Sequence, residues 1–345
     1  MRTQILKGNV KRNIYVSVDL IRRGELVAFP TETVYGLGAD ATNETAVAKI
    51  FAAKGRPHFD PLIVHVAGIS ILERMLKEIP DKAWLLADSF WPGPLTLVLP
   101  KSEEIPDIVT AGLPTVAVRI PQNKIALTLI KEAGVPVAAP SANIFGHPSP
   151  TCADHVIQDL DGKIDLILDG GPTQVGVEST VVDLTHSPPA ILRPGGVSRE
   201  SLEDILGRVT VFSGMNEESL KSPGQMKQHY APSAKVLLFH GKCQKKIIAA
   251  MRETINKLNK GYNIGIMVPE EMFFHFHNEE VISEGLGSFT DMKAVARNIY
   301  TKMRLLDNKK VSHILALAPP EEGIGLAVYN RLFKAAGSQL VEVDR

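Results

Sequence analysis

Two runs of alternating strand and helix signals, parted by a single polar break, constrain this chain more than any other feature. The break is residues 213–233, SGMNEESLKSPGQMKQHYAPS, which carries proline and glycine and no sustained apolar period. It reads as an interdomain linker. At 345 residues the chain exceeds what one core usually organises,. The expected layout is a first domain over 1–210, a linker over 211–233 and a smaller second domain over 234–345.

Before the break, ELVAFPTET (25–33) reads as a strand ending in a loop. Thr42 or Asn43 then caps a helix whose apolar Val47, Ile50 and Phe51 share a face, with Gly55 as its stop,. A buried strand follows at 62–66, then helices at about 70–78 and 81–90,. Strands are expected at 96–100 and 115–121, with a helix over 123–133 ended by Gly134. The segments 135–143, 165–171, 179–184 and 190–195 complete a strand-rich set. Such a mixture predicts an α/β domain with a twisted mixed sheet rather than a strict βαβ repeat. Beyond the break, strand runs at 234–240, 263–269 and 312–319 alternate with helices at about 243–259, 291–306 and 326–336. That pattern predicts a small parallel, Rossmann-like α/β unit. Its first strand is not followed by G-x-G-x-x-G, so no dinucleotide site is expected there,.

Composition narrows the function classes. Hydrophobic content of 44% with 22% charged residues is that of a soluble globular protein,. Residues 1–208 carry 20 basic and 24 acidic side chains, net −4, which leaves 18 and 14 for 209–345. Neither balance suggests a large nucleic-acid footprint. Cys152 and Cys243 are the only cysteines and lie far apart, which argues against a disulfide framework or a thiolate zinc site,. The histidines of HFH (275–277) fall on opposite faces of an extended run and read as surface residues. The start MRTQILKGNVKRN has no signal-peptide core, and no apolar run nears the roughly 18 residues of a membrane span,. No membrane association and a cytoplasmic location are expected.

The first domain holds the residues suited to chemistry. In KGRPHFDPLIVH (54–65), Lys54 and Arg56 bracket a glycine, so a sharp turn can bring both cations to one anion, with a triphosphate as the obvious candidate,. In isolation such a pair is a solvated helix end. The stiffening Pro57, Asp60 and Pro61, and the strand presenting His65, favour function. PTETVYGLG (30–38) puts hydroxyls at the carboxyl edge of a sheet, where α/β proteins place ligands, although turn glycines alone explain it as well,. In TVAVRIP, alternation puts Val116, Val118 and Ile120 on one face and Thr115, Ala117 and Arg119 on the other,. An arginine on a covered strand needs an anionic partner, either a protein carboxylate or a substrate. AAPSANIFGHPSPT supplies Ser141, Asn143 and Ser149 without any nucleophile elbow,. Ser179, Thr180 and Arg193 close the set. There is no Walker A sequence and there are few candidate bases. The inventory suits an enzyme that positions a nucleoside triphosphate and a small acid and works by electrostatics.

Taken together, PTETVYGLG, K-G-R with its following P-L, SAN, ST-V-V-D and I-L-R-P-G resemble the YrdC-type L-threonylcarbamoyladenylate synthases. HYAP and the terminal GIGLAVYNRLFKAA resemble the long, two-domain form. The fold expected from the resemblance is a YrdC-like twisted mixed-sheet domain with a C-terminal Rossmann-like domain. The resemblance implies a nucleotidyltransferase that turns L-threonine, bicarbonate and ATP into threonylcarbamoyl-AMP and pyrophosphate, with magnesium accompanying the ATP. It further implies a downstream tRNA threonylcarbamoyl transferase complex as partner, acting at adenosine 37. Carried over by position, Thr33, His65, Arg119, Ala139 and Ser179 would line the threonine pocket. Arg56, Asp60, Thr115, Ser141, Asn143, Ser149, Arg193 and Tyr230 would contact ATP, with Lys54 beside the phosphates and Lys54 and Arg56 as the catalytic cations. Segment 211–233 would fold as a lid that excludes water.

Two other readings compete. The same basic concavity could hold tRNA or double-stranded RNA directly, which the net −4 of the first domain disfavours,. A carbamoyl-phosphate-using hydrogenase maturation factor contains a similar domain, but it also needs zinc-binding cysteine clusters that two lone cysteines cannot provide.

Overall fold

The computed structural model describes residues 2–212, 229–258, 261 and 263–343. These form two compact units, one of residues 2–145 with 149–212 and the other of 146–148 with 229–343. Most of the expected linker falls at 213–228, outside the described residues.

The first unit is built on eleven strands: β1 (Gln4–Lys7), β2 (Val27–Pro30), β3 (Tyr35–Asp40), β4 (Ile63–His65), β5 (Leu95–Pro100), β6 (Thr115–Arg119), β7 (Val137–Ala138), β8 (Leu166–Asp169), β9 (Thr180–Asp183), β10 (Ala190–Arg193) and β11 (Thr210–Val211). They run β1-β8-β2-β3-β7-β4-β6-β5-β9-β10-β11 across one sheet. Parallel ladders (β4 with β6, β5 with β9) mix with antiparallel ones (β2 with β3, β5 with β6), so the sheet is mixed as expected. Between strands, the helix Glu44–Lys54 starts at Asn43, whose side chain accepts from the Ala46 N–H, and ends at Gly55 in the left-handed region (φ 61°),. Lys124–Ala133 is likewise capped by Asn123 and stopped by Gly134.

Three expectations fail locally. The run 30–38 is not a loop into a helix. Tyr35–Asp40 turns back as an antiparallel strand against Val27–Pro30. Its two glycines hide the strand signal, yet the packing demands them: a Cβ on Gly38 would lie 2.6 Å from the Phe29 ring and 2.9 Å from Val137,. The helix expected over 70–78 shrinks to a 3₁₀ turn (Ile69–Ile71) and one α-turn (Leu72–Met75). And 275–277 is no extended run, because Glu270–Phe276 is a 3₁₀ helix.

Period-two alternation sorts the sheet's side chains into two faces. One carries the main core, in which Leu37, Val64, Leu97, Leu99, Val116, Val118, Val182 and Ile191 pack with Val47, Ile50 and Leu86 from the helices. On the other face, helices Lys11–Arg22 and Lys124–Ala133 cover Val27, Phe29, Val137, Leu166 and Leu168. Further along that face a separate small cluster comes from strands alone: Ile63, Val98, Ala117, Val181 and Leu192.

The second unit is a five-stranded, wholly parallel sheet. Its strands are β12 (Lys235–His240), β13 (Ile264–Val268), β14 (Ile282–Gly285), β15 (His313–Leu317) and β16 (Val341–Glu342), in the order β14-β13-β15-β12-β16. Ile247, Met251, Ile255, Ile266, Val268, Leu315 and Phe239 form its own core. No helix among the described residues is long and apolar enough to cross a membrane.

Candidate active site

The strand-only cluster is the floor of the site. On β4 and β6, Ile63 and His65 share a face with Thr115, Ala117 and Arg119, and the register pairs Ile63 with Ala117 and His65 with Arg119,. Four residues of strand separate Thr115 from Arg119, about 13 Å at ~3.3 Å per residue. The floor is apolar in the middle and polar at both ends.

At the Arg119 end the groups are buried and mutually bonded. Arg119, 3% exposed, donates to the Gly93 carbonyl (3.1 Å), to Thr33 Oγ1 (3.0 Å) and to Glu32 Oε1 (2.6 Å). Glu32 takes a further bond from the Gln122 N–H at 3.0 Å. The anionic partner demanded for Arg119 is therefore a protein carboxylate, with the threonine hydroxyl beside it. His65 lies edge-on to Phe29 at 6.3 Å, and its Nδ1 is buried without a partner. Burial, reinforced by the Arg119 and then the Arg193 guanidinium, pushes its pKa down to about 3,. The imidazole is neutral throughout the physiological range. Ala139 N–H donates to the Ile63 carbonyl (2.9 Å), placing a small side chain next to β4.

Ser179 joins this end to the next pair of strands. Its hydroxyl shares a hydrogen bond with Thr96 Oγ1 (2.7 Å), and Arg193 clamps both its carbonyl (3.1 and 3.2 Å) and its hydroxyl (3.1 Å). A Cβ on Gly195 would lie 2.3 Å from the backbone of Glu178, Ser179 and Thr180, so the turn after Arg193 rests directly on the chain that carries Ser179.

At the other end, the left-handed Gly55 turn sends its two flanking cations different ways. Lys54, 1% exposed, donates to the carbonyls of Ser141 and Asn143, each at 2.5 Å. Arg56 pairs with Asp60 at 2.9 Å, donates to the Asp60 and Pro61 carbonyls and lies 5.7 Å from the Phe145 ring centre. Since Ile63 faces Ala117, Pro61, two residues before Ile63, and Thr115, two residues before Ala117, lie toward the same end. Thr115 thus belongs to the Arg56 end. Ser149 is fully buried and donates to Glu178 Oε1 at 2.5 Å. Tyr230 lies in the second unit, with a left-handed φ of 61°, 4.9 Å from the Arg331 guanidinium and 5.8 Å from the Tyr300 ring.

Glu32, Thr96 and Glu178 are the polar groups that sequence reasoning passed over. Glu32 could have been found by asking which acid could reach Arg119. Thr96 and Glu178 carry no comparable signal.

Residues 19–195 match the Sua5/YciO/YrdC family profile, described as telomere recombination, and residues 197–337 match the Sua5 profile described as threonylcarbamoyl-AMP synthase, C-terminal domain. The threonylcarbamoyl-AMP synthase of Pyrococcus abyssi is 48% identical over 96% of this chain and 96% of its own length. The chain belongs to the threonylcarbamoyl-AMP synthase family. The Bacillus subtilis member is 46% identical over 93% of this chain and 92% of that protein. The crystal structure of P. abyssi Sua5 complexed with L-threonine superposes with a TM-score of 0.93 at 45% identity, covering 99% of this chain and 100% of that one. The sheet face just described is thus the candidate active site of a threonylcarbamoyl-AMP synthase family enzyme with both Sua5 domains.

Proposed function

We propose that this enzyme condenses L-threonine, bicarbonate and ATP into threonylcarbamoyl-AMP and pyrophosphate, as the first step of a tRNA modification. The observation that carries the reading is a single sheet face with buried guanidinium groups at both ends and an apolar floor between them. Two anionic substrates laid end to end need such a surface. The P. abyssi protein in complex with threonine supports the amino acid as one of them.

Threonine would lie at the Arg119 end, its carboxylate taking the guanidinium N–H groups that Gly93, Thr33 and Glu32 leave over, with Ser179 and Ala139 beside it,. A neutral His65 can accept a hydrogen bond there without adding charge. The threonine amine attacks CO2, or bicarbonate with loss of water, to give a carbamate. A carbamate oxygen then attacks the α-phosphorus of ATP in line and pyrophosphate leaves, so no protein nucleophile is required. Arg56, at the far end of the face, stabilises the charge that builds on the leaving group, while Arg193 holds Ser179 beside the reacting carbamate,. Among the described residues no three His, Cys, Asp or Glu side chains gather as a cation cage. A magnesium ion held by the triphosphate needs no such cage and would supply charge neutralisation there.

Incubation with ATP, magnesium, bicarbonate and labelled threonine should give a threonylcarbamoyl adenylate on chromatography and pyrophosphate in equal amount. Pyrophosphate release that persists without threonine or without bicarbonate would refute the reaction.

A further inference from the structure

Thr96 places a fully buried hydroxyl in an otherwise apolar strand. Alternation along β5 sends Leu95, Leu97 and Leu99 into the main core and leaves Thr96 and Val98 on the opposite face, where Val98 belongs to the strand-only floor,. β5 runs antiparallel to β6 with Leu97 opposite Val118, and the same register continued one step sets Thr96 beside Arg119. On its other side Thr96 pairs with Val181 of β9, and Ser179, two residues earlier, shares the face of Val181,. Thr96 thus stands on the strand between the carriers of Arg119 and Ser179.

Proton supply fixes the direction of the hydrogen bonds here. A hydroxyl has one proton to give and two lone pairs. Arg193 donates to Ser179 Oγ at 3.1 Å and fills one of them. The Thr96 and Ser179 hydroxyls share a bond of 2.7 Å in which either oxygen could be the donor. Among the described residues Thr96 Oγ1 meets no partner other than Ser179, so its proton has one acceptor. Were Ser179 the donor, the Thr96 proton would be buried without an acceptor, the costly arrangement,. With Thr96 as donor, both Ser179 lone pairs are filled and the Ser179 proton is left for the site. A guanidinium and a hydroxyl giving to the same oxygen also polarise its O–H bond. An amine finds no acceptor there, whereas an anionic oxygen finds a donor.

We propose that Thr96 is a positioning residue that commits Ser179 to donate, and that the acceptor is an oxygen of the carbamate formed on the threonine amine. The anion's identity rests on the reaction proposed above; the direction of the hydrogen bonds rests on geometry alone. The threonine carboxylate has the Arg119 guanidinium, so the carbamate is the anion left for Ser179. Bound through one oxygen, the carbamate keeps the other for attack on phosphorus.

Initial rates of pyrophosphate release by the full chain, with threonine and bicarbonate varied in carbon-dioxide-free buffer, test this alongside calorimetric titration of threonine without bicarbonate. Thr96→Val keeps the shape and removes the proton. It should raise the bicarbonate KM about fivefold, the scale of one net hydrogen bond, while threonine affinity stays within about twofold of wild type. Thr96→Ser returns the proton and should restore the KM. If Thr96→Val does not fold, Thr96→Cys, with its weakly donating thiol, is read the same way. In the Ser179→Ala background Thr96→Val should change the KM by less than about twofold, because the acceptor it acts through is gone. A Thr96→Val enzyme with the wild-type KM, a threonine affinity that falls in step with it, or effects that multiply in the double variant would each overturn the inference. A wild type whose pyrophosphate release does not depend on threonine and bicarbonate takes down the reaction and the inference together. One that shows the dependence leaves the reaction standing whatever the variants do.

Discussion

His65 is the residue whose environment makes the sharpest claim. Its folded pKa of about 3 lies below the ordinary 6.5, so the folded state refuses a proton that the unfolded chain accepts. Above pH 6.5 both states are neutral and His65 adds no pH dependence. Between 6.5 and 3 the unfolded state binds more protons and stability falls with pH; below 3 that slope ends,. From pH 6.5 to 5 the loss attributable to this one group is about 2 kcal/mol. Urea unfolding at pH 7 and pH 5 of the wild type and of His65→Asn should reveal it, the variant losing that much less; equal losses would place a protonated imidazole in the folded protein. At this scale the sequence was partly legible. Alternation alone placed Arg119 with Thr115 and Ala117 and asked for an anion. It could not tell Glu32 from a substrate, because that choice depends on how the 30–38 segment turns back, and neither could it direct Lys54 and Arg56 to different carbonyls and carboxylates.

Among elements, capped helices were readable and glycine-bearing strands were not. Asn43 with Gly55, and Asn123 with Gly134, mark their helices by local chemistry that survives into the fold,. Tyr35–Asp40 gives no such signal, since its strand character comes from partners on either side: β2 in register and β7 beyond. The failed 70–78 helix shows the reverse error, an apolar pattern that tertiary packing uses for single turns. Gly38 tests the strand's packing. Gly38→Ala puts a methyl 2.6 Å from the Phe29 ring and 2.9 Å from Val137, and overpacking of this kind costs about 1–3 kcal/mol,. Because Phe29 is also the edge-on neighbour of His65, the urea midpoint should drop together with threonine affinity. A neutral substitution would mean that Phe29 and Val137 move aside freely.

At the scale of the whole molecule, each unit closes its own core. Among the described residues, the clusters of the first unit draw on residues 14–209 and that of the second on 239–317. Domains with separate cores fold separately as a rule. A chain ending at residue 212 should therefore keep its circular dichroism and unfold in one cooperative transition; a fragment that melts without cooperativity would show that the first core is incomplete. If the folded fragment also makes the adenylate, the second unit and residues 213–233 are dispensable for the chemistry.

Gly195 has a consequence for the history open to this fold. The backbone atoms of residues 178–180 occupy the place where any side chain would begin, so nineteen of the twenty amino acids are closed to it. Mutation can explore Arg193 on one side of that contact and Ser179 on the other, trying new charges and new hydroxyls. It cannot loosen the joint between them and keep the site. Variation in substrate preference must arise around a fixed pivot, through what the strands carry rather than through how far apart they stand.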